Sequence, residues 1–132
     1  MASSIHTNTV TLRFLEEHEI MGEHMQVILD TDEVEIARNE LGEIREIMAG
    51  HMLIEEGPQG AFDLFLANEP RLAAPIEKLK DDHNRLRTML KDLAAAEGQP
   101  GELKAIKDLV KFFEVHEIRE NAALEAAKRA AQ

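Results

Sequence analysis

The sequence of residues 44–56 is IREIMAGHMLIEE, and it carries a clear helical pattern. Its apolar residues recur every three or four positions, at Ile44, Ile47 and Met48, and the same stripe continues through His51 and Glu55. Side chains four residues apart lie on one face of a helix, one turn from each other. His51 and Glu55 can therefore reach the same ligand from one apolar helix face.

The same pattern returns 65 residues later, where residues 109–121 are LVKFFEVHEIREN. One H-x-x-x-E spacing alone is weak evidence. Here the whole pattern repeats after 65 residues, and this shift superposes apolar residues on apolar residues. The repeat predicts two helix hairpins, each with the pattern H…H-x-x-x-E. The superposed polar pairs are His18 and His83, His51 and His116, and Glu55 and Glu120.

Four long helices account for almost the whole chain, which we expect to form a single domain over residues 1–132. Residues 1–8 are expected to form a polar tail, with Thr7, Asn8 or Thr9 as the first N-cap. Gly57-Pro58 ends one helix, and the connection 57–71 contains a short apolar helix at 61–68. No strand-like alternation appears. The prediction is an all-α, up-down-up-down four-helix bundle built from two pseudo-symmetric hairpins, with helices at about 9–29, 34–56, 72–96 and 102–128.

Composition excludes several classes of function. The chain has 132 residues with 26 acidic and 15 basic side chains, a net charge of −11, so we expect no nucleic-acid partner. It has no Cys, which excludes disulfides and thiolate metal sites, and no Tyr or Trp. No run approaches the length of about 18 apolar residues that spans a bilayer. No membrane partner and a cytoplasmic location are therefore expected.

The apolar stripes of all four helices carry polar residues that would converge in the bundle core. An ionised Glu there costs several kcal/mol without a partner, and a metal cation satisfies neutral imidazole and carboxylate together. Divided between two metals, the set offers two His and about one carboxylate to each, which suits non-haem iron, although zinc stays open. A bundle with purely structural buried His is the other alternative. The candidate ligands are His18, His51, Glu55, His83, His116 and Glu120.

This spaced six-residue pattern resembles the hemerythrin-like cation-binding domain family, over about residues 9–128. The resemblance implies a non-haem centre of two iron ions, bridged by an oxo or hydroxo group. In that reading the four His are terminal ligands, whereas Glu55 and Glu120 bridge the two irons.

The chain departs from the oxygen-carrying hemerythrins at two positions. Those proteins have H-x-x-x-H on the third helix and H-x-x-x-x-D on the fourth, where this chain has Arg87 and Asn121. With one His fewer, the resemblance favours turnover of a small ligand, namely dioxygen, hydrogen peroxide or nitric oxide. The reaction would be peroxidase-like, catalase-like or nitric-oxide-handling, with an electron donor that the sequence does not identify. The alternative is an oxygen or iron sensor, carrier or storage module without turnover.

Four residues beside the candidate ligands have two interpretations. Glu17 and Asp82 each precede a candidate His and match under the 65-residue shift, as Glu56 and Asn121 do after the two Glu. They form either a solvated helix face or an outer set of residues that orients the imidazoles or relays protons.

The apolar residues of the 57–71 connection also leave alternatives open. We expect them to cover one end of the core, the alternatives being a gate over the metals or a dimer patch. His6 and His24 lie off the stripe and are expected at the surface. The covering residues are Phe62, Leu64, Phe65 and Leu66.

Overall fold

A computed structural model describes the backbone of residues 2–132 and the side chains of residues 15–132. The described chain is all-helical, as predicted, and contains no strand. A 3₁₀ turn at Pro70–Leu72 precedes the fourth helix. The helices are α1 (Ala2–Asp30), α2 (Val34–Glu56), α3 (Ala61–Asn68), α4 (Ala73–Ala95) and α5 (Glu102–Ala130).

The start of α1 differs from the prediction. The helix already begins at Ala2, so the expected polar tail is wrong, and Thr7, Asn8 and Thr9 lie inside the helix instead of capping it. Residues 2–14 contain neither Gly nor Pro, and Ser, Thr and Asn weaken a helix without breaking it. Polar composition alone therefore does not end this helix. Met1 lies outside the described residues.

The bounds of the other helices stay close to the predicted ranges. α2 has the predicted range, and α4 starts one residue late and ends one residue early. Asp30, Thr31 and Asp32 are the predicted N-cap candidates of α2, but its N-cap is Glu33, whose amide donates a hydrogen bond to the Thr31 hydroxyl. Gly98 and Gly101 both have positive φ in the turn before α5, a conformation that glycine adopts without strain.

The four long helices pack mainly as α1 on α2 and α4 on α5, and α5 also contacts α1 and α2. The apolar spacing of α1 predicts Leu15 on its buried stripe together with His18 and Met21, but the Leu15 side chain is 43% exposed. At 100° per residue it lies roughly 100° from the mean direction of the buried residues His18, Met21, Met25 and Ile28. It therefore stands at the edge of the stripe.

Two apolar clusters fill the interior, and the polar stripe residues lie between them. On α4, Leu86 belongs to the first cluster and Leu79 to the second, so His83 falls in the gap. On α5, Phe113 belongs to the first cluster and Ala123 to the second. The helical register thus places the predicted ligands in a layer between the two apolar clusters. No helix in the described part of the chain combines the length and the apolar character that crossing a bilayer requires.

A bidentate ion pair joins α2 to the start of α5. Arg38 donates hydrogen bonds from Nε and Nη2 to the Glu102 carboxylate at 2.8 and 2.6 Å, and the Gly98 amide donates a third at 3.0 Å. These bonds lower the pKa of Glu102 from its ordinary value of 4.5 to about 2. The sequence pattern did not predict this pair, because its partners lie on different helices.

We expect this pair to make stability dependent on pH. Because the folded-state pKa of Glu102 is depressed, its contribution is present above pH 4.5 and is lost as the pH falls toward 2. Glu102→Gln should therefore lower the melting temperature at pH 7 and have a much smaller effect near pH 2, measured by thermal unfolding across this range. Glu97→Gln is the control, because Glu97 faces Arg38 at 3.4 Å but its side chain is 61% exposed. An equal drop in the melting temperature of Glu102→Gln at pH 7 and near pH 2 would contradict the assignment of the pH dependence to this ion pair.

Candidate metal centre

The four predicted imidazoles meet in the core as two pairs of similar geometry. The Nε2 atoms of His18 on α1 and His51 on α2 are 3.0 Å apart, and those of His83 on α4 and His116 on α5 are 3.1 Å apart. The ring centroids are separated by 4.7 and 4.8 Å, with interplanar angles of 56° and 55°. Each helix of a pair therefore contributes one imidazole whose Nε2 points toward its partner.

The two predicted carboxylates join the pairs. Glu55 Oε1 lies 2.9 Å from His51 Nε2 and 3.4 Å from His83 Nε2, so it contacts one imidazole of each pair. Glu120 contacts both imidazoles of the first pair, because its Oε2 lies 3.6 Å from Nε2 of His18 and of His51, and its Oε1 contacts Nε2 of His116.

These contacts define two groups of donor atoms that could each hold a metal ion, with ligand atoms within 4.8 Å of one another. The first group is Glu55, His83, His116 and Glu120, and the second is His18, His51 and Glu120. All six sequence-predicted residues are thus brought together, and Glu120 belongs to both groups. All six are buried, and neither Glu side chain is exposed to solvent.

The chemistry of the donor set fits a cation. No hydrogen bond of standard geometry reaches either oxygen of Glu55 or of Glu120 from the described residues, although both carboxylates are fully buried. Carboxylate oxygens and unprotonated imidazole nitrogens are all electron-pair donors, and a set of them facing one another in a dry core repels itself. Protons or a metal ion must supply positive charge at its centre.

The pKa values of these groups describe how protons meet this demand. Burial and the neighbouring Glu120 raise the pKa of Glu55 well above its ordinary value. Burial acts in the same direction on Glu120, but its contacts with Glu55 and the imidazoles outweigh burial and lower its pKa. At His51 burial lowers the pKa, yet Glu120, Glu17 and Glu55 together raise it to about 12. The metal-free cluster therefore retains protons, which a metal ion has to displace.

The outward-facing nitrogen of each imidazole contacts a carboxylate. Asp82 Oδ2 lies 3.0 Å from Nδ1 of His116 and is hydrogen-bonded to it. A carboxylate at Nδ1 favours the tautomer that directs the Nε2 lone pair inward, the arrangement typical of metal-binding histidines. The other outer carboxylates face their imidazoles at 3.3–3.4 Å: Glu17 at His51, Glu56 at His83 and Glu117 at His18.

These contacts decide between the two interpretations of the flanking acids. The solvated-face alternative is wrong for Glu17, Glu56 and Asp82, whereas Asn121 is exposed. Glu117 was missed, because only the packing of α5 against α1 turns it toward His18. Burial and the nearby Glu120 raise the pKa of Glu117 to about 7.

Two arginines extend this arrangement toward the surface. Arg119 Nη1 donates to Asp82 Oδ2 at 2.9 Å, and Arg87 Nη2 donates to Glu56 Oε2 at 2.6 Å. Burial opposes ionisation of Asp82, but His116 and Arg119 outweigh it and lower the pKa of Asp82. The pKa of Glu56 is lowered in the same way, by Arg87 and His83 against burial.

Two phenylalanine rings pack on the imidazoles of α4 and α5. Phe62 of α3 stacks on His83 with ring centroids 5.6 Å apart, and Phe113 packs on His116 at 5.7 Å. Phe62 and Phe65 are buried in the second apolar cluster, so the segment 61–68 covers that end of the core, as predicted, and also touches the candidate site.

One of the two remaining histidines, His24, lies outside this cluster. His24 is half-buried rather than fully at the surface, and its Nδ1 lies 2.5 Å from Glu40. His6 lies outside the residues whose side chains are described.

Comparison of the chain with family models, with curated proteins and with solved structures finds no match.

Proposed function

We propose that this chain is a hemerythrin-like protein with a centre of two iron ions, and that it binds and turns over a small oxidant at that centre. The observation that carries the proposal is the pair of buried donor groups that share Glu120. His18 and His51 would hold one ion, and His83 and His116 the other. Glu120 would bridge both ions, and Glu55, which contacts both His pairs, would be the second bridge.

The spacing of each imidazole pair fits one metal ion. Two nitrogens at about 2.1 Å from one metal ion lie about 3.0 Å apart when the angle between them is 90°, and about 3.4 Å apart at the tetrahedral angle. The observed Nε2–Nε2 distances are 3.0 and 3.1 Å. They therefore fall in the range in which both imidazoles of a pair bind the same ion, and the shared carboxylates lie beside them.

An iron pair, when bound, supplies one-electron redox chemistry and open positions for dioxygen, hydrogen peroxide or nitric oxide. The chain supplies the surroundings. The outer carboxylates keep the imidazoles in the tautomer that directs Nε2 inward, and the two apolar clusters exclude water. The buried Met48 belongs to the first of these clusters.

The test is metal content together with the ultraviolet–visible spectrum of protein purified aerobically from iron-supplied cells. We expect about two irons per chain and the charge-transfer bands of an oxo-bridged ferric pair. Because the metal ions displace protons, the iron content should fall as the pH is lowered. Zinc, a single metal ion or no metal in the parent chain would overturn the di-iron proposal.

Turnover is tested separately on the iron-loaded protein. Steady consumption of hydrogen peroxide or nitric oxide over many equivalents, with a reductant present, supports an enzyme. Uptake of about one equivalent per centre followed by no further reaction would instead identify a sensor, carrier or storage module. The matched control is His51→Ala protein, which should consume neither substrate above the rate of free iron.

A further inference from the structure

We propose that the two halves of the cluster are unequal, and that the His83/His116 half takes the first metal ion because surface arginines fix the carboxylates behind its imidazoles. This inference rests on the proposed metal centre and concerns the order in which that centre fills. The chain of contacts Arg119–Asp82–His116 and the chain Arg87–Glu56–His83 are called here the arginine clamps.

The geometry of the first clamp is continuous from the surface to the core. Arg119 Nη1 lies 2.9 Å from Asp82 Oδ2, and the same oxygen lies 3.0 Å from His116 Nδ1. The Asp82 side chain is 2% exposed, so it cannot turn to solvent without losing both contacts. Lys78 Nζ lies 3.5 Å from its second oxygen. These contacts hold Asp82 with its Oδ2 against the His116 imidazole.

The second clamp repeats the arrangement on the other imidazole of the same half. Arg87 Nη2 lies 2.6 Å from Glu56 Oε2, which lies 3.3 Å from His83 Nδ1. Arg87 also donates to Asn84 at 2.8 Å, which fixes the guanidinium itself. The side chains of Arg87 and Arg119 are both 44% exposed, so each clamp is anchored at the surface.

One further observation distinguishes this half from the other. On the His18 side, no arginine or lysine of the described chain forms an ion pair with Glu117. Preorganised ligands bind a metal more tightly because less freedom is lost on binding, so the clamped half should fill first.

The direction in which Arg119→Gln changes the metal affinity distinguishes two physical causes. Removing a guanidinium near a cation site removes repulsion, which by itself would strengthen metal binding. Removing the anchor of Asp82 frees the His116 imidazole to change tautomer and orientation, which weakens binding. Because Arg119 is partly exposed to water, its repulsion is screened, and the loss of positioning should dominate.

The experiment is a titration of the metal-free full chain with Co²⁺. Binding is monitored by calorimetry and by the visible absorption of the bound ion. We expect two binding events with affinities at least about tenfold apart. His83→Ala should remove the tighter event, and His18→Ala should remove the weaker one. Arg119→Gln and Arg87→Gln should each weaken the tighter event by about tenfold and leave the weaker event unchanged.

Control variants distinguish the positioning of Asp82 by Arg119 from a loss of fold and from a loss of positive charge. Arg71→Gln removes a similar arginine–carboxylate pair, with Glu69 at 2.9 Å, that touches no candidate ligand, and it should change neither event. Arg119→Lys should restore part of the affinity, and Arg119→Gln should have no effect in an Asp82→Ala background. Circular dichroism of each metal-free variant verifies the helices.

The outcomes separate this inference from the proposed function. If the parent chain takes up no Co²⁺, the proposed metal centre fails and the inference fails with it. If the parent binds two ions but Arg119→Gln weakens both events equally, changes neither or strengthens the first, only the inference is overturned.

Discussion

Replacing Glu120 by alanine is expected to abolish stable metal binding at both positions at once. Glu120 is the member that the two donor groups have in common, and its oxygens lie between the two imidazole pairs. In the proposed centre its removal would take a negative ligand from each metal ion and would leave the buried imidazoles without a bridging charge. The affinity should fall by more than about 100-fold, beyond the 10- to 100-fold cost of changing an outer partner of a ligand. Metal content after gel filtration and the Co²⁺ titration both measure this loss.

Glu55→Gln separates the effect on metal binding from the effect on stability in the same experiment. Because burial and Glu120 raise the pKa of Glu55, they favour its protonated form in the metal-free protein, and glutamine has nearly the same shape as that protonated acid. The metal-free variant should therefore melt close to the parent temperature while its metal binding is strongly weakened.

A surface variant on the same helix as Glu120 completes the design. Glu125→Gln lies on α5 with its side chain 58% exposed, and it should change neither metal binding nor stability. A Glu120→Ala protein that still binds two metal ions at parental affinity would show that the shared carboxylate is not a ligand.

The part of this arrangement that could be predicted from sequence is the part that depends on position within one helix. His51 and Glu55 share a face because they are four residues apart, and the 65-residue repeat copies that face into the second half of the chain. The helix type, most helix bounds and the meeting of the six polar stripe residues follow from this local periodicity. Their role as metal ligands stays a prediction.

The contacts that could not be predicted depend on how one helix is rotated against another. Glu117 turns toward His18 across the α1–α5 contact, and Arg38 reaches Glu102 across 64 residues of chain. Neither contact has a periodic signature, because its partners lie on different helices. The start of α1 could not be predicted for another reason, because the polar residues there include no helix-breaking Gly or Pro and the helix continues through them.

Phe113→Ala is expected to cause a large loss of stability among single core substitutions. The Phe113 side chain has no exposure to solvent, lies in the first apolar cluster and packs on the His116 ring at 5.7 Å. Truncating a buried phenylalanine removes its apolar contacts and leaves a cavity, at a cost of about 3–5 kcal/mol. For a domain of this size the melting temperature should fall by about 10–20 °C, as measured by thermal unfolding of the metal-free protein.

The neighbouring phenylalanine supplies the matched control. Phe112 precedes Phe113 on α5 but is only partly buried, and its ring lies below the Arg85 guanidinium at 5.4 Å from the centroid. Phe112→Ala should cost about 1 kcal/mol, mostly this cation–π contact and some packing. Equal losses for the two variants would contradict the assignment of one ring to the core and the other to its edge. Since the same cavity frees one side of the His116 imidazole, Phe113→Ala should also weaken metal binding, whereas Phe112→Ala should leave it unchanged.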